Sequence, residues 1–267
     1  MGPSRIARLS PLLLGLTGCG AAGAVPSPDA GAAADVATAE VPSTDAGGGG
    51  QCAASAVRCA DQQVMQMRLF DSPSPATITE EGTTAGEFRS LVDARAGGSM
   101  VTQGFVYARF TEAGLEKVEL SDQAAFRSMD WDIAVRRYVV RINSGVSGPS
   151  CVTAARAPGT DFAALSAAPA AVEYRTEAYF TETCEIVNDG SSIAAPGTAL
   201  ASFWAYRSCV EMTGNVFALR LRDGRAVKLQ VTSYYDPAAQ EACNTTGMAP
   251  TPNGAGNVRL RWAFLGR

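Results

Sequence analysis

Apolar and polar residues alternate with a period of two through most of the chain beyond residue 100, and that alternation restricts it to β structure. Residues 216–222 and 225–232 alternate on either side of Asp223-Gly224. Asp-Gly between two such runs is the strongest short-range hairpin signal, because a type I′ turn needs positive φ at both central residues. Phe105, Tyr107 and Arg109 alternate with Val106, Ala108 and Phe110, break at Glu112-Ala113-Gly114, and resume at Lys117-Val118-Glu119-Leu120. This reads as a second hairpin. Residues 258–264 alternate cleanly and predict a closing strand. Helical periodicity is scarce, and only residues 85–96 suggest a short helix. The 217 residues from 51 to 267 suffice for one cored domain. The expectation is an all-β, mostly antiparallel fold without internal repeats.

The first fifty residues read differently. Arg5 and Arg8 precede a short apolar run that contains Leu12-Leu13-Leu14, and Leu16-Thr17-Gly18-Cys19 has the form of a lipoprotein cleavage box. Residues 1–18 are therefore expected to be a signal peptide. Cys19 is the expected lipidation site, so the partner at this end is a membrane, reached through acyl chains. Gly20 in place of an aspartate favours the outer membrane, with the domain facing either the periplasm or the cell surface. Residues 20–50 hold no aromatic residue and no Lys or Arg, and end in four glycines. With Cys19 they form a linker, residues 19–50, too poor in apolar surface to offset its ordering entropy. Removing the first eighteen residues takes away Arg5 and Arg8 and no acid. That leaves 20 basic against 26 acidic residues, a net of −6, and argues against nucleic acid as a partner.

Beyond Cys19 six cysteines remain: Cys52, Cys59, Cys151, Cys184, Cys209 and Cys243. An even count in an exported chain reads as three disulfides, with 15 connectivities open. Sequential pairing, Cys52–Cys59, Cys151–Cys184 and Cys209–Cys243, is the preferred arrangement, each bridge closing a loop at its base. A thiolate metal site lacks any Cys-x-x-Cys and any histidine, so no metal ligands are assigned.

The chain contains no histidine at all. That removes Ser-His-Asp catalysis, His-based zinc sites and c-type haem attachment. No catalytic residue is assigned and the protein is not read as an enzyme. A weaker alternative is carboxylate chemistry on envelope material by Asp130 and Asp132. These flank Trp131, so on a strand the indole points to one face and both carboxylates to the other. The preferred reading has Trp131 in the core and the aspartates paired with arginines such as Arg136, Arg137 or Arg141. Residues 143–149 read as an ordered turn ending at Cys151. The cluster Phe203-Trp204-Ala205-Tyr206, upstream of Met212, is either a core strand or the wall of an apolar ligand pocket. In the second case Trp204, Tyr206 and Met212 are the candidate ligand-binding residues.

Trp131-Asp132-Ile133-Ala134, Arg137-Tyr138, Arg141-Ile142-Asn143 and Ser147-Gly148 occur in that order, followed by Val216-Phe217-Ala218, Lys228-Leu229-Gln230, Tyr234-Tyr235 and the last strand. This series resembles the HmuY family of bacterial haem-binding lipoproteins. The resemblance implies a single HmuY-like β domain, here with long disulfide-pinned loops, that holds haem between strand-borne ligands in iron acquisition. An outer-membrane protein would then be the partner. Better-known members hold the iron with two histidines and some relatives use methionines; here no histidine ligand can be carried over. Two functions of different class follow: a haem- or porphyrin-binding lipoprotein, or a cofactor-free interaction or structural lipoprotein on the same scaffold.

Overall fold

The computed structural model describes residues 52–95 and 101–266. The expected signal peptide, residues 1–18, and the expected linker from Cys19 to residue 50 lie outside the described residues.

A short helix, α1 (Ala60–Gln66), leads to the hairpin β1 (Ile78–Thr84) and β2 (Glu87–Asp93). The hairpin β3 (Val106–Thr111) and β4 (Gly114–Val118) follows, then one helical turn, α2 (Asp122–Ala125). The tight pair β5 (Ile133–Arg136) and β6 (Val139–Ile142) precedes β7 (Thr153–Arg156). After a long excursion come β8 (Trp204–Tyr206), β9 (Val210–Met212), β10 (Val216–Arg220), β11 (Ala226–Ser233), α3 (Pro237–Thr246) and β12 (Asn257–Leu265). The strands form a six-stranded sheet in the order β1-β2-β12-β11-β10-β7, a four-stranded sheet β4-β3-β5-β6 and the pair β8-β9. All the pairings are antiparallel.

The four-stranded sheet is buried on both faces. Val106, Ala108, Phe110, Ile133 and Val135 pack toward the large sheet, against Leu219, Leu229 and Trp262. Phe105, Tyr107 and Ala134 face the other way, into a second core with Met67, Trp131, Tyr179 and Phe180. Double burial explains why Ile133, Ala134 and Val135 of β5 are apolar without alternation.

Two details correct the sequence reading. Residues 85–95, the described part of the expected helix, are not helical: Ala85 (φ 51°) and Gly86 (φ 81°) make the turn between β1 and β2, and β2 buries Phe88, Ser90 and Val92 with period two. At Asp223-Gly224 only Gly224 has positive φ (83°). There Gly224 N–H donates to Leu221 O and Leu221 N–H to Arg225 O, so the connection is a three-residue loop with a glycine bulge and not a type I′ turn. The strand β12 closes the chain but sits inside the sheet, between β2 and β11.

The six cysteines form Cys52–Cys151, Cys59–Cys184 and Cys209–Cys243. The sequential expectation fails for the first two. Both tie the N-terminal arm to the domain, across 99 and 125 residues.

Candidate functional site

The run from Trp131 to Gly148 is architecture. Trp131 is fully buried; its Nε1–H donates to Ala125 O (3.2 Å) and its ring meets Tyr107 edge-on at 5.0 Å. Asn143 ties the turn together, donating to Trp131 O (2.8 Å) and Ser128 O (3.0 Å) and accepting from Ser150 N–H (3.1 Å). A Cβ on Gly148 would stand 2.1 Å from Asn143 Oδ1, so only glycine fits there.

The acids do not pair as the sequence suggested. Asp132 accepts the Phe110 N–H (2.9 Å), and burial pushes its carboxyl up to about 6. Asp130 lies out at the surface, 3.5 Å from Arg222. The expected arginines go elsewhere. Arg141 is fully buried, its Nη2–H donating to the Tyr107 hydroxyl (2.7 Å) and its Nη1–H to that of Tyr179 (3.3 Å). Its guanidinium lies 3.9 Å over the Phe105 ring. Arg136 is buried too; it donates to Met67 O (2.6 Å) and Arg68 O (3.2 Å) and sits 3.9 Å from Asp122. Asp122 in turn accepts from Phe70 N–H, Phe105 N–H and the Tyr107 hydroxyl. These groups bind chiefly one another, although the Nε of Arg141 is left without a hydrogen-bond partner.

Arg136 fixes one wall of a cleft of about 470 Å³ at the β5–β6 turn. Met67 and Arg68, at the end of α1, line it together with Arg137, Tyr138, Ile186 and Ile193. Every charged residue lining it is an arginine and none is an acid, in a chain of net charge −4. Arg68 (φ 50°), Arg137 (φ 52°) and Ala194 (φ 53°) all line it. They are half of the six non-glycine residues with positive φ among the described residues. Such backbone costs on the order of 1 kcal/mol or more per residue, persists only where its surroundings enforce it, and clusters at ligand clamps. Arg137 N–H donates to Ala94 O (2.7 Å), which holds the turn against the end of β2. The far wall is braced by Val187 N–H to Tyr179 O and Gly197 N–H to Val187 O, both 2.8 Å.

The structure brings two of the three sequence candidates near this cleft without making them its lining. Trp204 is buried behind Tyr138, ring centroids 5.3 Å apart, and stands opposite Met212 in the β8–β9 register. Tyr206, at the other end of β8, is exposed. Tyr138 and Arg137 were not singled out as ligand residues. Their signal was two bulky polar residues at the turn of a buried strand pair. Among the described residues no group of three His, Cys, Asp or Glu could hold a metal ion, and no helix is long and apolar enough to cross a membrane.

The protein is thus an antiparallel β domain with a disulfide-tied arm and an arginine-flanked cleft. The sequence profile of the HmuY protein family matches residues 101–247, more than half of the chain. The chain belongs to the HmuY family. It is similar to a candidate lipoprotein of Bacteroides fragilis NCTC 9343, at 16% identity over 72% of this chain and 95% of that one (TM-score 0.43). A candidate HmuY-like haem-binding protein of Bacteroides vulgatus ATCC 8482 shares 16% identity over 72% and 97% (TM-score 0.40). The apo HmuY analogue of Tannerella forsythia shares 13% over 74% and 99% (TM-score 0.36). No curated protein matches the chain.

Proposed function

We propose that the protein is an envelope lipoprotein that binds haem or a related porphyrin in the β5–β6 cleft. The observation that carries this reading is the cleft itself: apolar walls from Met67, Ile186 and Ile193, an aromatic side chain in Tyr138, and arginines with no acid. That chemistry suits a flat apolar ring bearing carboxylates, and its size falls within the ordinary range of small-molecule pockets. Membership of the HmuY family supports the same ligand class.

The fit to haem is partial. Side chains that ligate haem iron are His, Met, Tyr and thiolate Cys. The chain has no histidine, and its cysteines from residue 52 onward are all in disulfides. Met67 and Tyr138 remain. Met67 is 6% exposed within the second core, and the Tyr138 ring packs against Trp204 and Tyr234. The cleft fits the ring and its carboxylates and offers no matched pair of iron ligands. Residues 1–18 as signal peptide, Cys19 as lipid anchor and residues 19–50 as tether would place the domain at the outer membrane, where delivery to a membrane protein would serve iron acquisition.

Titration of the protein with haemin tests the reading. The expected result is saturable binding at one haemin per chain, weakened on replacing Arg137. Binding no tighter than to an unrelated acidic protein would refute it and favour a cofactor-free interaction role for the scaffold.

A further inference from the structure

Arg68 and Arg137 line the cleft from two different elements, the end of α1 and the β5–β6 turn. Arg68 is exposed and Arg137 half-buried, so both charges can meet a ligand. The third arginine cannot. The Arg136 guanidinium is committed to Met67 O, Arg68 O and Asp122. The Arg137 guanidinium lies 5.2 Å over the Tyr138 ring, which places a cation and an aromatic face side by side. Arg137 also hydrogen-bonds the Tyr234 hydroxyl, so Arg68 is the freer of the two cations; against them stands the thin set of iron donors, one core methionine and one stacked tyrosine.

We infer that this cleft recognises its ligand through two carboxylates and the ring faces, independently of any metal, so that metal-free porphyrin and haem are bound alike. The inference rests on the function proposed above. Arginine pairs with a carboxylate by charge-assisted, often bidentate hydrogen bonds. An aromatic ring flanked by a guanidinium stacks on another ring whatever that ring holds at its centre. Recognition of this kind needs no axial ligand, which accounts for a histidine-free chain that still builds a cleft of this composition.

The experiment compares haemin, protoporphyrin IX and protoporphyrin dimethyl ester, each titrated into the protein and followed by tryptophan fluorescence. Trp204, packed on Tyr138, supplies a reporter that needs no iron. Protoporphyrin IX is expected to bind within tenfold of haemin. The ester, which keeps the ring and loses both charges, should bind at least tenfold more weakly. Arg68→Ala and Arg137→Ala should each weaken both acids about tenfold or more, as for the loss of one hydrogen bond to a charged group. Tyr138→Phe and Met67→Leu should shift haemin and protoporphyrin IX in the same proportion. Haemin more than tenfold tighter than protoporphyrin IX would overturn the inference while sparing the proposed function. A haemin preference that collapses in Tyr138→Phe or Met67→Leu would identify the iron ligand responsible. Failure of both acids to bind would remove the proposed function itself. The ester comparison needs no variant, so it stands even where a replacement prevents folding.

Discussion

Burial raises the Glu177 carboxyl to about 7, against the pull of the Ile142 and Ala199 N–H groups, which it accepts at 2.8 Å each, and of Arg141. Asp132 is raised to about 6 by the same cause. In the unfolded chain both ionise near 4. The folded protein therefore holds protons that the unfolded chain has released, and stability falls as pH rises through this window. The contribution is fully present below about pH 4 and lost by about pH 7 to 8. For Glu177 it amounts to about 3 kcal/mol. The midpoint of urea unfolding is expected to be higher at pH 5.5 than at pH 8. Asp132→Asn should flatten the lower part of that profile and Glu177→Gln the upper part. Below about pH 5, where Glu177 is protonated, the glutamine also lowers stability by about 1 to 3 kcal/mol, because its NH2 cannot accept one of the two N–H bonds; above about pH 8 this loss is offset by removal of the buried charge. A profile that is flat, or that rises with pH, contradicts the assignment.

At the scale of elements, Ala85-Gly86 joins β1 to β2 with positive φ at both positions. Glycine takes that conformation freely, whereas alanine resists it. Ala85→Asn should relieve the strain and raise stability by about 0.5 to 1 kcal/mol, read as an increased urea midpoint with an unchanged slope. The same residues show why the sequence misled here. Turn signals at Asp223-Gly224 and Glu112-Ala113-Gly114 are polar and glycine-rich, so both hairpins were legible. Ala-Gly with apolar neighbours at Phe88, Leu91 and Val92 imitates a helix, and only pairing with β12 decides for the strand. Cys209–Cys243 was legible, but the partners of Cys52 and Cys59 were not, because Cys59 and Cys184 meet through tertiary folding, which local spacing does not encode. The cleft was not legible. Trp204 and Met212, singled out for their aromatic context, stand behind Tyr138 and not in the lining. The lining residues Arg68 and Arg137 come from segments whose approach no periodicity reveals.

Across the whole molecule, the N-terminal arm lies outside the segment matched to the family yet supplies Met67 and Arg68 to the cleft. Two links hold it there. Gln63 bridges from α1, donating to Val146 O and accepting from the Tyr179 hydroxyl (3.2 Å), and Cys59, at the head of α1, bonds to Cys184, two residues before Ile186. The Cys59–Cys184 bridge thus clamps the element that ends in one cleft wall to the segment that begins the other. Cutting it, as Cys59→Ala with Cys184→Ala, should cost about 5 kcal/mol in the chain-entropy account of a 125-residue closure. It should also release α1 from Ile186 and weaken haemin binding at least tenfold. Cys209→Ala with Cys243→Ala makes the control, since that bridge spans 34 residues and touches neither wall. It should lower the melting temperature by a comparable amount, for a closure worth about 4 kcal/mol, while leaving haemin affinity within threefold. Circular dichroism at the titration temperature would establish that both variants keep their sheets. Equal loss of affinity in the two variants would mean that binding follows global stability. Loss confined to the Cys59–Cys184 variant would make the arm, which lies outside the segment matched to the family, a working half of the binding site.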